Sequence, residues 1–163
     1  MVRIYYSALI LFIIGLSSCN RSKTYHIYFD DTVPQLKFAV DDLINELSKK
    51  GMAVERGSVE SFTGKSTETS IVVAYKGDDT DQLCKLLDAN IPEQKKSQSY
   101  SIRVNGEDKT NAIAVMANDA NGAMYGLMDI TEAIKLQTIN ELKDYDKEPY
   151  VEKRGIKFIG IGV

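Results

Sequence analysis

The stretch TSIVVAYKG, residues 69–77, constrains the fold of this chain more than any other, because it is apolar at nearly every position. Such a run is typical of a central strand in a sheet. Two candidate strands precede it: TYHIYFDD (24–31), in which apolar and polar residues alternate, and MAVERGSVESF (52–62), which a glycine interrupts. A hairpin follows it, because Asn105-Gly106 is a favourable turn pair between the strand-like stretches of residues 98–119.

A helix is predicted over residues 32–51, because apolar side chains recur there at helical spacing. Thr32 and Gln35 form a capping-box pair at its start, and Pro34 suits its first turn. Gly51 suits the position after its end.

Two more helices are expected, one in DTDQLCKLLDANIP and one from about Asn121 to Leu136. Asp79 or Thr80 would cap the first of these, and Asp119 or Asn121 would cap the second. The order β-α-β-β-α-β-β-α predicts an α+β fold, in which a mixed sheet carries helices on one face. This domain spans residues 24–138, and a polar linker containing Pro149 covers residues 139–154.

The N-terminus has the layout of a secretory signal peptide over residues 1–18, with Arg3 before an apolar stretch that ends at Leu16. Leu16-Ser17-Ser18-Cys19 resembles the lipobox of bacterial lipoproteins. The resemblance implies cleavage before Cys19, lipidation of its thiol and a short tether over residues 19–23. The chain would then be exported and anchored in the bacterial envelope, on the periplasmic or the cell-surface face of the outer membrane.

Composition argues against several functions. The net charge is −3 with no basic block, which does not favour nucleic-acid binding, and one histidine and two cysteines are too few for a zinc cluster. No cofactor motif is present. Cys84 lies on the apolar face of the second helix and is expected to be a core residue.

Three features that could carry chemistry have simpler explanations. GKST (64–67) lacks the first glycine of a P-loop, since Val59 stands there, and a strand follows where a helix is required. The clusters Asp30-Asp31 and Asp78-Asp79-Asp81 stand where helices begin, as capping carboxylates do. His26 lies on a strand, opposite its apolar side and without a nucleophile motif. No catalytic residue and no metal ligand is predicted.

NDANGAMYGLMDITEAIKLQ (118–137) is the most distinctive stretch. Glycine inside a helix costs about 1 kcal/mol relative to alanine, so Gly126 is expected to let the sheet or a neighbouring backbone approach closely. The broad apolar surface of this helix predicts burial on more than one side.

The third helix and the C-terminal end together resemble an accessory domain that precedes the catalytic barrel of several glycoside hydrolases. These include the hexosaminidases of family 20 and the α-glucuronidases of families 67 and 115. The family pattern G-x-x-Y-G-x-x-x-L/I-x-E and its later R-G phrase match the following structural residues: Gly122, Tyr125, Gly126, Ile130, Glu132, Arg154 and Gly155.

The resemblance implies that residues 155–163 open the first strand of a (β/α)₈ barrel, which needs about 250 residues. The expected function is that of a non-catalytic domain of a secreted, lipid-anchored glycoside hydrolase acting on polysaccharides or glycans. The barrel in cis and the membrane would be its partners, and the fragment alone would have no activity. Two alternatives stay open: a free-standing envelope module that binds glycans or a protein, and an unrelated α+β lipoprotein.

Overall fold

The computed structural model describes residues 23–64, 66–75, 78–87, 96–105 and 110–149. These residues form six strands and three α-helices. The strands are β1 (Thr24–Tyr28), β2 (Ala53–Gly57), β3 (Ser66–Tyr75), β4 (Tyr100–Asn105), β5 (Thr110–Ala117) and β6 (Tyr145–Lys147); the helices are α1 (Pro34–Lys49), α2 (Asp78–Leu87) and α3 (Ala120–Lys135). The predicted signal peptide, Cys19, Arg154, Gly155 and the predicted barrel strand (155–163) lie outside the described residues.

All six strands belong to one mixed sheet in the order β2-β1-β3-β5-β4-β6. Strands β2, β1, β3 and β5 are mutually parallel, and β4 runs antiparallel to both β5 and β6. The long apolar strand β3 therefore lies in the interior of the sheet, and β4 and β5 pair as the predicted hairpin does. The mixed α+β fold is confirmed.

Helices cover both faces of the sheet, and the prediction that they cover one face is wrong. On the first face, α1 and α3 pack together over Tyr25, Ile71 and Val115. On the other face, Leu83, Cys84 and Leu87 of α2 pack over Val72, Ala74 and Met116. Side chains of a strand alternate between faces, so a strand apolar at nearly every position requires cover on both.

The start of α1 differs from its prediction. Helix α1 begins at Pro34, its N-cap is Val33, and no side chain caps it. The Thr32 hydroxyl instead donates to a carboxylate oxygen of Asp30 at 2.6 Å, so Thr32 and Gln35 form no capping box. Gly51, with φ +73°, follows the end of α1 as predicted.

The second helix also begins earlier than predicted. Its first residue is Asp78, so the expected caps, Asp79 and Thr80, lie inside its first turn. Within the described ranges, no helix has the length and apolar character that crossing a membrane requires.

Candidate site where the chain leaves the sheet

The strongest polar cluster of the described residues lies where the chain leaves the sheet after β6. The carboxylate of Asp129, on α3, accepts hydrogen bonds through Oδ2 from the hydroxyl groups of Tyr100 and Tyr145, the latter at 2.9 Å. Lys147 Nζ lies 3.0 Å from the same oxygen and 5.8 Å from the centre of the Tyr100 ring. We call Tyr100, Asp129, Tyr145 and Lys147 the exit cluster; it joins β4, α3 and β6.

The edge strand β6 is held to β4 by side chains as well as by the backbone. Arg103 donates from Nη1 to the Tyr145 carbonyl oxygen at 3.1 Å, and its Nη2 lies 2.6 Å from Asp146 Oδ1. Just before β6, Asp144 accepts the backbone N–H of Val104 at 2.8 Å. This carboxylate thus satisfies an edge donor that would otherwise be open to another strand.

These contacts correct the expectation of a plain linker over residues 139–154. Residues 145–147 form β6, and residues 139–141 form a short 3₁₀ turn. The sequence of β6 has three residues, two of them charged, and shows no strand pattern. Its strand conformation therefore depends on contacts with residues distant in sequence.

Two residues of β6 have a shifted pKa. Burial, and then the hydrogen bond to Asp129, raise the pKa of Tyr145 well above its usual range. Burial alone would raise the pKa of Asp146, but hydrogen bonds from Ser101 and Arg103 outweigh it and lower that pKa. Tyr145 therefore stays neutral and Asp146 stays charged, which suits a structural hold on β6.

A pocket of about 270 Å³ opens beside the exit cluster. Tyr125, Met128 and Asp129 of α3 form one wall, Gln98 and Tyr100 form the second, and the chain from Lys147 to Pro149 forms the third. Pro149, where the described chain ends, is buried. Two features of Gln98 are unusual: its φ is +64°, and its Oε1 is buried without a hydrogen-bond partner.

The two glycines of α3 explain how the helix comes so close to the sheet. A Cβ at Gly126 would lie 2.5 Å from Val115 Cγ1 and 3.1 Å from Tyr100 Cδ2. A Cβ at Gly122 would lie 2.4 Å from the backbone oxygen of Ser99. The close approach predicted for Gly126 is confirmed, and the contact at Gly122 fixes the backbone that enters β4.

The start of α3 is fixed to the same backbone. Asp119 is the N-cap, as predicted, and its Oδ1 accepts the Gly122 N–H at 2.8 Å. Its Oδ2 accepts from the Gln98 N–H and from the Ser97 hydroxyl, each at 2.8 Å. Burial would raise the pKa of Asp119, but these hydrogen bonds outweigh it and lower that pKa.

Among the motif residues predicted from the sequence, Gly122 and Gly126 are buried contacts of α3, Tyr125 lines the pocket, and Glu132 is exposed on the same helix. Sequence reasoning missed Asp129, Tyr145 and Lys147. An aspartate in a helix and two residues in a polar stretch have no local pattern that could have indicated the cluster.

His26 has partners that the sequence did not indicate. Its Nε2 lies 2.6 Å from Glu68 Oε2 and its Nδ1 lies 3.4 Å from Glu55 Oε2. Its side chain therefore joins β1 to the strands on either side. In the part of the chain that the structure describes, no group of three or more His, Cys, Asp or Glu side chains is arranged to hold a metal ion.

Cys84 is a core residue, as predicted. It is 4% exposed, and its thiol lies 3.3 Å from the Met116 sulfur. Burial, with a smaller contribution from Asp81, raises the pKa of this thiol, and Arg103 opposes the shift. The thiol is therefore unreactive.

The fold occurs in a carbohydrate-active enzyme. A GH138 enzyme targeting pectin rhamnogalacturonan II matches this chain with a TM-score of 0.53 and 19% sequence identity. The match covers 77% of this chain and 15% of that enzyme. No family model matches the sequence, and no curated protein matches it. The comparison identifies a fold that is related to a glycoside hydrolase.

Proposed function

We propose that this chain is the non-catalytic N-terminal domain of a secreted, lipid-anchored glycoside hydrolase that acts on polysaccharides or glycans. The main support is the match to the GH138 enzyme, in which this fold corresponds to 15% of the protein. A fold that forms a small part of a large hydrolase suits an accessory role. The motif on α3 and the R-G phrase resemble the accessory domains of hexosaminidases and α-glucuronidases.

The exit cluster supports this role physically. A domain that positions a neighbour needs a fixed point where the chain leaves it, and flexible linkers leave neighbouring domains free to move. Here the last strand is held by Arg103, Asp144 and Asp129, and Pro149 is buried. Such a hold suits a domain rigidly joined to a catalytic barrel.

Activity measurements test the central claim. We expect the purified 163-residue chain to release no product from aryl glycosides, glucuronoxylan oligomers or rhamnogalacturonan oligosaccharides. The DNA after codon 163 should continue, in frame or after a frameshift, into β/α repeats of a barrel. Turnover by the chain itself, or a stop without such sequence, would contradict the proposal.

The lipid anchor has a separate test. If Cys19 carries the lipid, Cys19→Ala should move the protein from the membrane fraction to the soluble fraction, because the acyl chains hold it there. Cys84→Ala is the matched control, and it should stay in the membrane fraction. Retention of Cys19→Ala at the membrane would contradict the anchor.

The alternative of a glycan-binding module has weaker support. Aromatic platforms need several exposed rings, yet among the described aromatic residues Phe38 is the one that is exposed, at 62%, whereas Tyr25 and Tyr100 lie within the core. Titration with oligosaccharides distinguishes the two functions, because an accessory scaffold should show no saturable binding.

A further inference from the structure

We infer that a pocket at the carboxyl ends of β1 and β2 binds a small zwitterion, such as a free α-amino acid, between the guanidinium of Arg56 and the carboxylate of Asp31. The pocket has a volume of about 260 Å³ and is lined by Phe29, Asp31, Arg56, Gly57 and Ser58. It lies at the β2 edge of the sheet, away from the exit cluster. The inference goes beyond the proposed function and does not depend on it.

The course of the chain opens a crevice at this place. Strands β1 and β2 are parallel neighbours, but the chain leaves them toward opposite faces of the sheet. After β1 it enters α1, which packs on the first face, and after β2 it passes through Val59 and Phe62, which pack on the other face. In open α/β sheets, ligands bind in the crevice that such a divergence leaves outside the carboxyl ends of the strands. The pocket lies in this crevice, because its lining residues end β2 or directly follow β1 and β2.

Arg56 provides hydrogen-bond donors on one side of the pocket. Its Nη2 donates to Asp41 Oδ1 on α1 at 2.9 Å, and Arg56 makes no other side-chain hydrogen bond or ion pair among the described residues. A guanidinium has five N–H donors in a planar fork that matches a carboxylate. Most of these donors therefore remain available to a ligand, while the contact with Asp41 restricts the positions that the side chain can take.

Asp31 provides a carboxylate that the fold itself does not use. The neighbouring Asp30 accepts hydrogen bonds from the backbone N–H and the hydroxyl group of Thr32. Asp31, by contrast, makes no side-chain hydrogen bond or ion pair in the part of the chain that the structure describes, and no side chain caps α1. Its carboxylate is therefore available to accept from an ammonium group.

The two opposite charges select the class of ligand. A simple anion that Arg56 attracts would meet the carboxylate of Asp31, and a simple cation that Asp31 attracts would meet Arg56; such like-charge contacts are unfavourable. A zwitterion instead makes a charge-assisted hydrogen bond at each end. The volume of about 260 Å³ equals about nine liquid waters at about 30 Å³ each, which suits one amino acid. Phe29, a core residue, provides an apolar floor for the aliphatic part of the ligand.

Titration with L-leucine tests the inference. In amide NMR spectra of the 163-residue chain, we expect the signals of Phe29, Asp31 and Ser58 to shift and to saturate in the millimolar range, because both charges are open to water. Two analogues of leucine carry one charge each: isocaproate lacks the ammonium group, and isopentylamine lacks the carboxylate. Each should bind about ten-fold more weakly than leucine, since it loses one charge-assisted hydrogen bond.

Variants of the two charged residues sharpen the test. Arg56→Gln and Asp31→Asn should each weaken leucine binding about ten-fold. Lys50→Gln and Glu55→Gln are the matched controls, because each removes one exposed charge, the first after the end of α1 and the second on the other face of β2. Neither control should change the affinity by more than about two-fold. The same spectra show whether each variant is folded.

Three results would overturn the inference. The first is the absence of any saturable shift with leucine. The second is equal binding of leucine and either analogue, which would identify a site for a single charge. The third comes from methyl glucoside, a neutral probe: saturable shifts with it and none with leucine would identify a glycan site and would support the alternative glycan-binding function. The presence or absence of a barrel after residue 163 has no bearing on these results.

Discussion

The two edges of the sheet are held in different ways. At one edge, the five residues of β2 pair with β1 along their whole length, and their charged side chains lie in solvent. At the other, β6 has only three residues, yet it is held by Arg103, which is 12% exposed, and by Tyr100 and Asp129, which are 4% and 29% exposed. The outer strand with fewer backbone pairs has the stronger side-chain contacts.

Exposure decides how much these contacts contribute. The ion pair between Arg56 and Asp41 at the β2 edge joins side chains that are each 49% exposed, and such pairs contribute about 0–1 kcal/mol. Tyr100 is 4% exposed, and a buried hydroxyl that loses its acceptor costs about 1–3 kcal/mol. We therefore expect substitutions at the β6 edge to cost more free energy than those at the β2 edge.

Gly122→Ala should have the largest effect, because the new Cβ would overlap the backbone oxygen of Ser99. Backbone cannot rotate away as a side chain can, so we expect a loss of about 3 kcal/mol in the free energy of unfolding, despite the better helix propensity of alanine. Urea denaturation measures it. Asn121→Ala, at the exposed neighbouring position, is the control and should stay within about 0.5 kcal/mol of the natural chain. Equal stability of the two variants would show that the contact at Gly122 is not rigid.

Asp129→Ala should have the second-largest effect, a loss of about 2 kcal/mol in the free energy of unfolding. Two tyrosine hydroxyl groups and Lys147 lose their common acceptor in this variant. Asp42→Ala is its matched control, since Asp42 is also a helical aspartate paired with a lysine, but 47% exposed. The control should cost about 0–0.5 kcal/mol. Amide hydrogen exchange should accelerate in β6 for the first variant only. Equal losses in the two variants would mean that the Asp129 contacts contribute no more than an exposed ion pair between helices.

The sequence predicted the parts of this fold that local pattern determines. The hairpin, the interior strand and the close approach at Gly126 follow from alternation, turn chemistry and the cost of a helical glycine. The contacts that Asp129 makes in the exit cluster join residues 16 to 29 positions apart. No periodic pattern records such contacts, so Asp129 looked like an ordinary polar residue of a helix, and residues 145–147 looked like a linker.

The position of α2 was not predicted for a related reason. Its apolar face is as clear as that of α1, but a face in the sequence does not say which side of the sheet it will cover. The pattern that indicates cover on both faces of the sheet is in β3, whose two faces are both apolar. Its neighbouring residues Ile71 and Val72 lie in different hydrophobic cores.

Tyr145→Phe should have a smaller effect that depends on pH. The pKa of Tyr145 is raised in the folded protein above its ordinary value of 10, so above pH 10 the unfolded chain loses a proton that the folded chain keeps. The contribution of this hydroxyl to stability is therefore complete below pH 10 and decreases as the pH rises beyond it. The natural chain should lose stability more steeply than Tyr145→Phe between about pH 10 and about pH 12, as measured by urea denaturation. Parallel curves would mean that the pKa of Tyr145 is not raised in the folded protein.

His26→Gln should have the smallest effect, although His26 contacts glutamates on both neighbouring strands. Those carboxylates are 70% and 47% exposed, so water replaces the lost contacts at little cost, and we expect a loss of about 0.5 kcal/mol. Amide exchange should quicken only slightly in β2, because backbone pairing with β1 provides most of the stability of that strand. Exchange in β6 should stay unchanged. A loss as large as that of Asp129→Ala would mean that buried and exposed contacts hold the two edges equally, and the contrast between them would then have to be explained by strand length alone.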